Sequence, residues 1–473
     1  MGVLTHVPVG TLPPERFREA LDADAWEEFS SLLEQARETF KGRVIWQVNS
    51  TAAGGGVAEL LRSLLAYSRG AGVDTRWVVI AGNPAFFEVT KRIHNNLHGA
   101  PGDGGDLGET ERRIYEDALA ESIDELAEVA GPSDVVVLHD PQTAGAVNRL
   151  HEMGVPVIWR CHVGLDTPNE YARRAWNFLL PYVREADAYV FSREAFVWEG
   201  LDRDKIELIA PSIDAFSPKN EDLDADTVRS ILDAAGIVPD GGGEHPVFTR
   251  QDGSPGRVDR QAELVQAAPL GIEDRMVLQV SRWDRLKDPL GVIRGFAEHV
   301  TAETGAHLVY AGPAVAAVAD DPEGKEVLEE SIKAWQELPG KVRERIHLAC
   351  LPMDDGEENA AIVNALQRHA DVVVQKSLAE GFGLTVAEAM WKARPVVASR
   401  IGGIQDQIED GVSGVLLDDP ADLEEYGVAV RGLLDSPADA ERMGGEAMRR
   451  VRHDFLGSRS LVQYYRLIAR VMR

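Results

Sequence analysis

The chain has little cysteine, few aromatic residues and no long apolar run. Two cysteines in 473 residues, Cys161 and Cys350, leave no material for a disulfide framework or a cysteine-rich metal site. Both end apolar stretches, where a reduced, buried thiol is ordinary. No segment approaches the roughly 20 apolar residues that a membrane-spanning helix needs. Met1-Gly-Val-Leu-Thr-His6 has neither a basic start nor a hydrophobic signal core, so a cytoplasmic location is expected. Basic residues are scarce as well: 49 Lys and Arg stand against 78 Asp and Glu, a formal net charge of −29. Such acidity opposes adsorption to nucleic acid or to an anionic membrane. It admits an anionic small substrate only where the binding site carries its own basic groups.

Against these absences, 44% hydrophobic and 27% charged residues are the balance of a globular protein, and the length suffices for two or three domains. Residues 1–41 hold Pro13-Pro14 and a Glu-, Ala- and Leu-rich run from Phe17 to Phe40, read as one or two helices ahead of the first strand. Strands and helices then alternate. Val44–Val48, Arg76–Ala81, Asp134–Leu138, Val155–Trp159, Ala188–Ser192 and Lys205–Ile209 read as one strand series. Met276–Val280, His307–Ala311, Ile346–Cys350, Val372–Val374, Pro395–Ala398 and Gly414–Leu417 read as a second. Alternation of this kind gives an α/β class with parallel sheets. The expected division is a first domain over 1–213 with a helical extension, a second over 214–455, and a terminal helix in 456–473. Residues 215–258, irregular apart from a helix near Asp224–Ala235 and with Gly241-Gly-Gly243 and Gln251–Gly256, read as linker and insertion.

Chemistry concentrates where strands end, because ligands of doubly wound sheets bind outside the carboxyl ends of the strands. After Val48 comes Asn49-Ser-Thr-Ala-Ala-Gly-Gly-Gly-Val57, a small-residue loop leading into a helix at Ala58. Glu59 stands where a dinucleotide fingerprint needs its third glycine, which leaves either a tight turn or a loop whose amides, at Gly55 and Gly56, approach a sugar or diphosphate. After Leu138 come His139, Asp140, Pro141 and Gln142. His139, Asp140 and Gln142 are candidates for binding hydroxyls, although Asp140 equally suits the cap of a helix starting at Pro141. His162 follows the next strand.

In the second series, Ser281-Arg282-Trp-Asp-Arg-Leu-Lys287-Asp288-Pro289 places Arg282 and Lys287 before a helix. A guanidinium and an ammonium beside a helix amino end make a diphosphate clamp. The run Glu380-Gly-Phe-Gly-Leu-Thr-Val-Ala-Glu388 is strand, glycine loop, helix. Gly381 and Gly383 let a ligand approach the backbone, and the amides of Leu384 and Thr385 open the helix toward a phosphate. No Asp-x-Asp metal motif follows a strand there.

The Glu380–Glu388 run resembles the donor-site signature of retaining glycosyltransferases of GT-B architecture, the group that includes sucrose synthase and bacterial glycogen synthase. Trp46–Ala58, Val137–Gln142, Trp159–Gly164 and Val280–Pro289 together are similar to the trehalose glycosyltransferring synthases. The resemblance implies two Rossmann-like doubly wound domains facing across a cleft, and a glucosyl group passing between a nucleotide diphosphate-glucose and free glucose to give α,α-trehalose. It assigns Glu380 to the transferred sugar, Glu388 to the ribose, Arg282 and Lys287 to the diphosphate, His162 to the reacting sugar and Asp140 to the acceptor side. No cofactor is required on this reading; a divalent cation such as Mg2+ is at most stimulatory. A homodimer is compatible with the resemblance. The alternatives are another acceptor, as in sucrose or glycogen synthase, a non-hydrolysing nucleotide-sugar epimerase of the same fold, or a silent nucleotide-sugar sensor.

Overall fold

Parallel strands covered on both faces read as continuous apolar runs, and Val135-Val-Val-Leu-His139 lies fully buried for that reason. The computed structural model describes residues 3–52, 55–239, 245–315 and 322–473. Its chain divides into two units, Met1–Ser212 with Phe455–Arg473, and Ile213–Asp454.

The first unit is built on strands β1 (Thr5–Val7), β2 (Ile45–Asn49), β3 (Thr75–Val79), β4 (Val135–His139), β5 (Val157–Cys161), β6 (Ala188–Phe191) and β7 (Ile206–Leu208). Their order is β1-β3-β2-β4-β5-β6-β7, with β1 antiparallel at the edge and the rest parallel. The chain leaves β2 for β3 on one side and returns to β4 on the other, so the switch point lies between β2 and β4. The terminal helix Gly457–Val471 packs onto this unit, where Tyr465 donates to Ser68 Oγ (2.9 Å) and rests on the Phe40 ring.

In the second unit a hairpin of β8 (Val247–Thr249) and β9 (Pro255–Arg257) precedes a seven-stranded sheet. That sheet contains β10 (Glu263–Val265), β11 (Met276–Val280), β12 (His307–Pro313), β13 (Ile346–Leu351), β14 (Val372–Gln375), β15 (Val396–Ser399) and β16 (Val415–Leu417), in the order β10-β13-β12-β11-β14-β15-β16. Only β10 runs antiparallel. Its switch point falls between β11 and β14, the two strands whose following loops carry Lys287 and Glu380.

Some of the acidic residues have a structural task at strand entries. Asp134, Asp187 and Asp371 each precede a strand and accept the backbone N–H of Val44, Val157 and Met276 on the neighbouring chain segment, at 2.7–2.8 Å. These bonds set the stagger of adjacent strands.

Three expectations change. A strand, β1, forms ahead of the run read as helical, where no strand was expected; it is short, of mixed polarity and stabilised by its ladder with β3. Residues 215–258 contain a hairpin where irregular chain was expected, and Gly241–Gly243 lie outside the described residues. The helix after β2 starts at Gly55, so Gly55 and Gly56 form its first turn instead of the loop before it; Gly54 is outside the described residues.

Candidate active site

At the switch point of the second sheet, Lys287 Nζ lies 2.5 Å from Glu380 Oε2, and both side chains are mostly buried. Lys287 ends a single 3-10 turn, Arg285–Lys287, which the structure holds from several sides. Gln279 at the end of β11 donates to the Lys287 carbonyl (2.8 Å), and the Leu378 amide donates to the Leu286 carbonyl (2.7 Å). Lys376, fully buried just past β14, forms an ion pair with Asp288. Asp288 adopts φ +49° and caps the helix Pro289–His299 by accepting from the Gly291 amide (3.0 Å). A left-handed aspartate tied to a buried lysine is a strained, over-determined position of the kind that functional sites retain. Lys287 is therefore presented on a fixed support.

The Glu380 loop is set just as firmly. Gly383 has φ +81° and precedes the helix Leu384–Trp391. A side chain at Gly402 would place its Cβ 1.8 Å from the Glu380 carbonyl oxygen, so the 401–403 turn can lie against Glu380 only with glycine there. The Gly403 amide donates to the Gly381 carbonyl (2.9 Å). Thr385 gives its hydroxyl proton to Gln375 (2.9 Å), which also bonds Ser281 and Ser377. Leu384 and Thr385 remain at the amino end of the helix, where amide groups face forward.

Glu388, 2% exposed, sits in the second turn with Lys219 Nζ at 3.5 Å. The neighbouring Lys392 is buried, bonds Asn220 Oδ1 (2.9 Å), and has its proton affinity lowered by that burial against the opposing pull of Glu388. Arg282 differs from the rest. Its side chain is 65% exposed and paired with Asp284 at 2.9 Å, while its carbonyl accepts from Tyr310.

In the first unit, Asp140 opens a short helix with φ +64°. Its carboxylate does not cap that helix; Oδ1 accepts the backbone N–H of His162 at 2.8 Å. Trp159 Nε1–H donates to the Asp140 carbonyl (3.2 Å), and Tyr115 donates to the Pro141 carbonyl (2.6 Å) while accepting from Gly145. Burial raises the Asp140 pKa to about 6 against the lowering effects of the His162 amide and Arg160. His139 is buried, with Nε2 2.7 Å from Gln47 Oε1 and Nδ1 3.1 Å from His162 Nε2. Both nitrogens of His139 are thus engaged within the protein, and the ring lies behind His162. Gln142 is half-buried and makes no side-chain hydrogen bond among the described residues. Arg160, 1% exposed, donates to the Phe191 and Ile209 carbonyls and to Ser192, with no carboxylate partner among the described residues.

Burial, reinforced by the Arg160 charge, pushes His139 down to about 3 and His162 well below the ordinary range. In the second unit burial pushes His347 down to about 4. An unfolded histidine binds a proton near pH 6.5, which these folded ones refuse, so acid favours unfolding. Asp140 acts in the opposite sense between about pH 4 and 6, one group against three. The urea midpoint is expected to hold steady from about pH 8 to 7 and fall from about pH 6.5 downward. A midpoint unchanged between about pH 7 and 5 would contradict these depressed values.

The sequence pointed to Lys287, Glu380, His162 and Asp140; the structure places Lys287, Glu380 and Asp140 past the ends of switch-point strands and His162 past the neighbouring β5. Gln47, Lys376, Asp288 and Gln375 were missed as site residues. A signal for two of them exists: Gln47 and Gln375, like Gln279, are polar residues inside otherwise apolar parallel strands, where an amide needs a buried partner. Among the described residues no group of three or more His, Cys, Asp or Glu side chains could hold a metal ion, and no helix is long and apolar enough to cross a membrane.

Residues 47–198 match the family described as trehalose synthase, N-terminal domain, and residues 261–450 match glycosyl transferases group 1. The trehalose synthase of Rubrobacter xylanophilus is 36% identical over 447 residues, covering 93% of each chain. That of Pyrococcus horikoshii is 35% identical over 438 residues, covering 93% of this chain and 92% of its own. Among solved structures, a UDP-forming α,α-trehalose-phosphate synthase of Burkholderia xenovorans superposes with a TM-score of 0.64 at 16% identity, over 90% of this chain and 98% of that one. The fold and the family matches together define a glycosyltransferase of GT-B architecture. Within that class, the chain belongs to the trehalose synthase family.

Proposed function

We propose that the chain moves a glucosyl group between a nucleotide diphosphate-glucose and free glucose, with retention at the anomeric carbon, giving α,α-trehalose and the nucleotide diphosphate. The observation that carries this reading is the Lys287–Glu380 ion pair at the switch point of the second sheet. It sets a cation for the diphosphate beside a carboxylate for the hydroxyls of the sugar attached to it. In the forward direction the bond from the anomeric carbon to the phosphate oxygen breaks, a new bond forms to the anomeric hydroxyl of glucose, and that hydroxyl's proton passes to the departing phosphate. Lys287, Arg282 and the helix amino end at Leu384 and Thr385 balance the charge that builds on the diphosphate, a term that commonly dominates such catalysis. Glu380 orients the sugar, Glu388 binds the ribose, and Asp140 and His162 serve the acceptor and the reacting sugar. No metal has a step in this scheme, and Mg2+ would do no more than stimulate.

The test is product analysis after incubating the protein with a panel of nucleotide-glucose donors and free glucose, with and without EDTA. A non-reducing disaccharide with an α,α linkage, released with nucleotide diphosphate in both conditions, is the expected result. Nucleotide release without a disaccharide would discard the glucose acceptor, and isomerised donor without transfer would replace the reaction by epimerisation. Glu388→Ala is expected to raise the donor KM by about tenfold, the scale of one charge-assisted hydrogen bond, with kcat within about threefold. Loss of turnover at saturating donor would move Glu388 from ribose binding into the chemistry.

A further inference from the structure

Gln47, His139 and His162 form a single hydrogen-bonded row in the first unit. Gln47 lies within β2 and His139 ends β4, the two strands that flank the switch point, and His162 directly follows β5. The row has one sense. Gln47 Oε1, 2.7 Å from His139 Nε2, can only accept, so His139 carries its proton on Nε2. A neutral imidazole has one N–H, which leaves His139 Nδ1 a bare lone pair. His162 Nε2, 3.1 Å away, must then be the donor. His162 Nδ1 is left with a lone pair of its own, and nothing among the described residues donates to it.

The surroundings keep the row neutral and in register. The rings of His139 and His162 lie nearly parallel, 18° apart with centroids at 5.4 Å. The charged and titratable groups around them are Arg160 on β5, Asp140 at the start of its helix, and Tyr464 on the terminal helix. A cavity of about 40 Å³ that Gln47 and His139 line together with Tyr464, Tyr465 and leucines is too small for a sugar. The row therefore serves the His162 end.

We infer that Gln47 is a positioning residue: acting through His139, it fixes the tautomer of His162, so that His162 meets the sugar as a hydrogen-bond acceptor at Nδ1. The inference rests on the reading of His162 as a sugar contact. Its consequence is a requirement at that point of the substrate, since only a hydroxyl, which can donate, satisfies a lone pair. A fluorine in the same place does not.

Full-length protein labelled with 15N-histidine tests this, because protonated and bare ring nitrogens differ widely in chemical shift. At about pH 7.5, where histidine is ordinarily neutral, the wild type is expected to show both His139 and His162 protonated on Nε2 only. In Gln47→Leu the acceptor is gone; His162 is expected to show a mixture of tautomers, with kcat lowered about tenfold, the scale of one misdirected hydrogen bond, and donor KM little changed. Gln47→Glu keeps an acceptor of the same shape. At about pH 8.5 it is expected to restore the single tautomer and turnover within about threefold. At lower pH its carboxylate favours a protonated His139, whose Nδ1–H turns His162 round, giving a fall in turnover that begins at higher pH than the decline set by Asp140 in the wild type.

A Gln47→Leu protein with His162 still held on Nε2–H and full turnover would overturn the inference. So would a Gln47→Glu protein as impaired as Gln47→Leu at every pH. The spectra need no turnover: a wild type that shows the row yet makes no trehalose overturns the reaction, whereas one that makes trehalose with His162 protonated on Nδ1 overturns the row.

Discussion

Replacing Lys287 with alanine is expected to lower kcat by about a hundredfold, the scale of removing one fixed donor from a developing oxyanion. The ammonium meets Glu380 at 2.5 Å and its turn is tied to Gln279, Leu378 and, through Asp288, to the fully buried Lys376. A charge held this way needs no reorganisation when negative charge appears on the diphosphate. Removing it has a second effect, because Glu380, mostly buried, then keeps its charge without its counter-ion. Glu380→Gln added to Lys287→Ala should therefore cost less than the two single effects combined, as expected for groups that act as a pair. Lys287→Arg should not rescue: the planar fork is longer and cannot bring one compact charge to the same point. Arg282→Ala is expected to be milder, about tenfold, since its side chain is 65% exposed and leans on Asp284. Near-normal turnover in both alanine variants would remove the clamp from the mechanism.

The unequal weight of these two cations shows what the sequence could and could not supply. Arg282 and Lys287 share a motif and looked equivalent. Burial separates them, and the groups that hold the Lys287 turn, Lys376, Leu378 and Glu380, arrive from another part of the chain. The sheet cores were legible because strands such as Val135–His139 and Val372–Gln375 are covered on both faces and so must be continuous apolar runs. The structure also contains a helix over Glu109–Val129, which an uninterrupted run of helix-forming residues makes legible. By contrast, β1 and the β8–β9 hairpin are three-residue strands of mixed polarity, stabilised by pairing that no local pattern announces. The ambiguity at Asp140 had the same origin. Local sequence offered a helix cap, and only β5 lying beside β4 brings the His162 amide to its carboxylate.

Asp140→Asn is expected to separate stability from activity. Asparagine tolerates φ near +64° about as well as aspartate and keeps an oxygen for the His162 amide, so the local backbone should persist. What it removes is the charge. Burial raises the Asp140 pKa from 3.8 to about 6, which means that the ionised form is disfavoured in the folded protein. A shift of that size corresponds to at most about 3 kcal/mol of instability, fully present above pH 6 and absent below the unfolded value near 4. The variant should therefore be more stable than the wild type at about pH 7.5 and indistinguishable from it at about pH 4. Asp140→Ala should be less stable than Asp140→Asn at both pH values, since alanine in the left-handed region costs about 1 kcal/mol and offers no acceptor. On the proposed reaction the carboxylate at this position serves the substrate, accepting a hydrogen bond from a hydroxyl with a full negative charge. On the proposed reaction, kcat/KM for glucose should fall about a hundredfold in Asp140→Asn, and the wild-type value should decline below about pH 6 as the same carboxyl protonates. An asparagine variant that is more stable and equally active would take Asp140 out of the reaction. One that is less stable at neutral pH would show that the buried charge is compensated by its neighbours, Arg160 first among them.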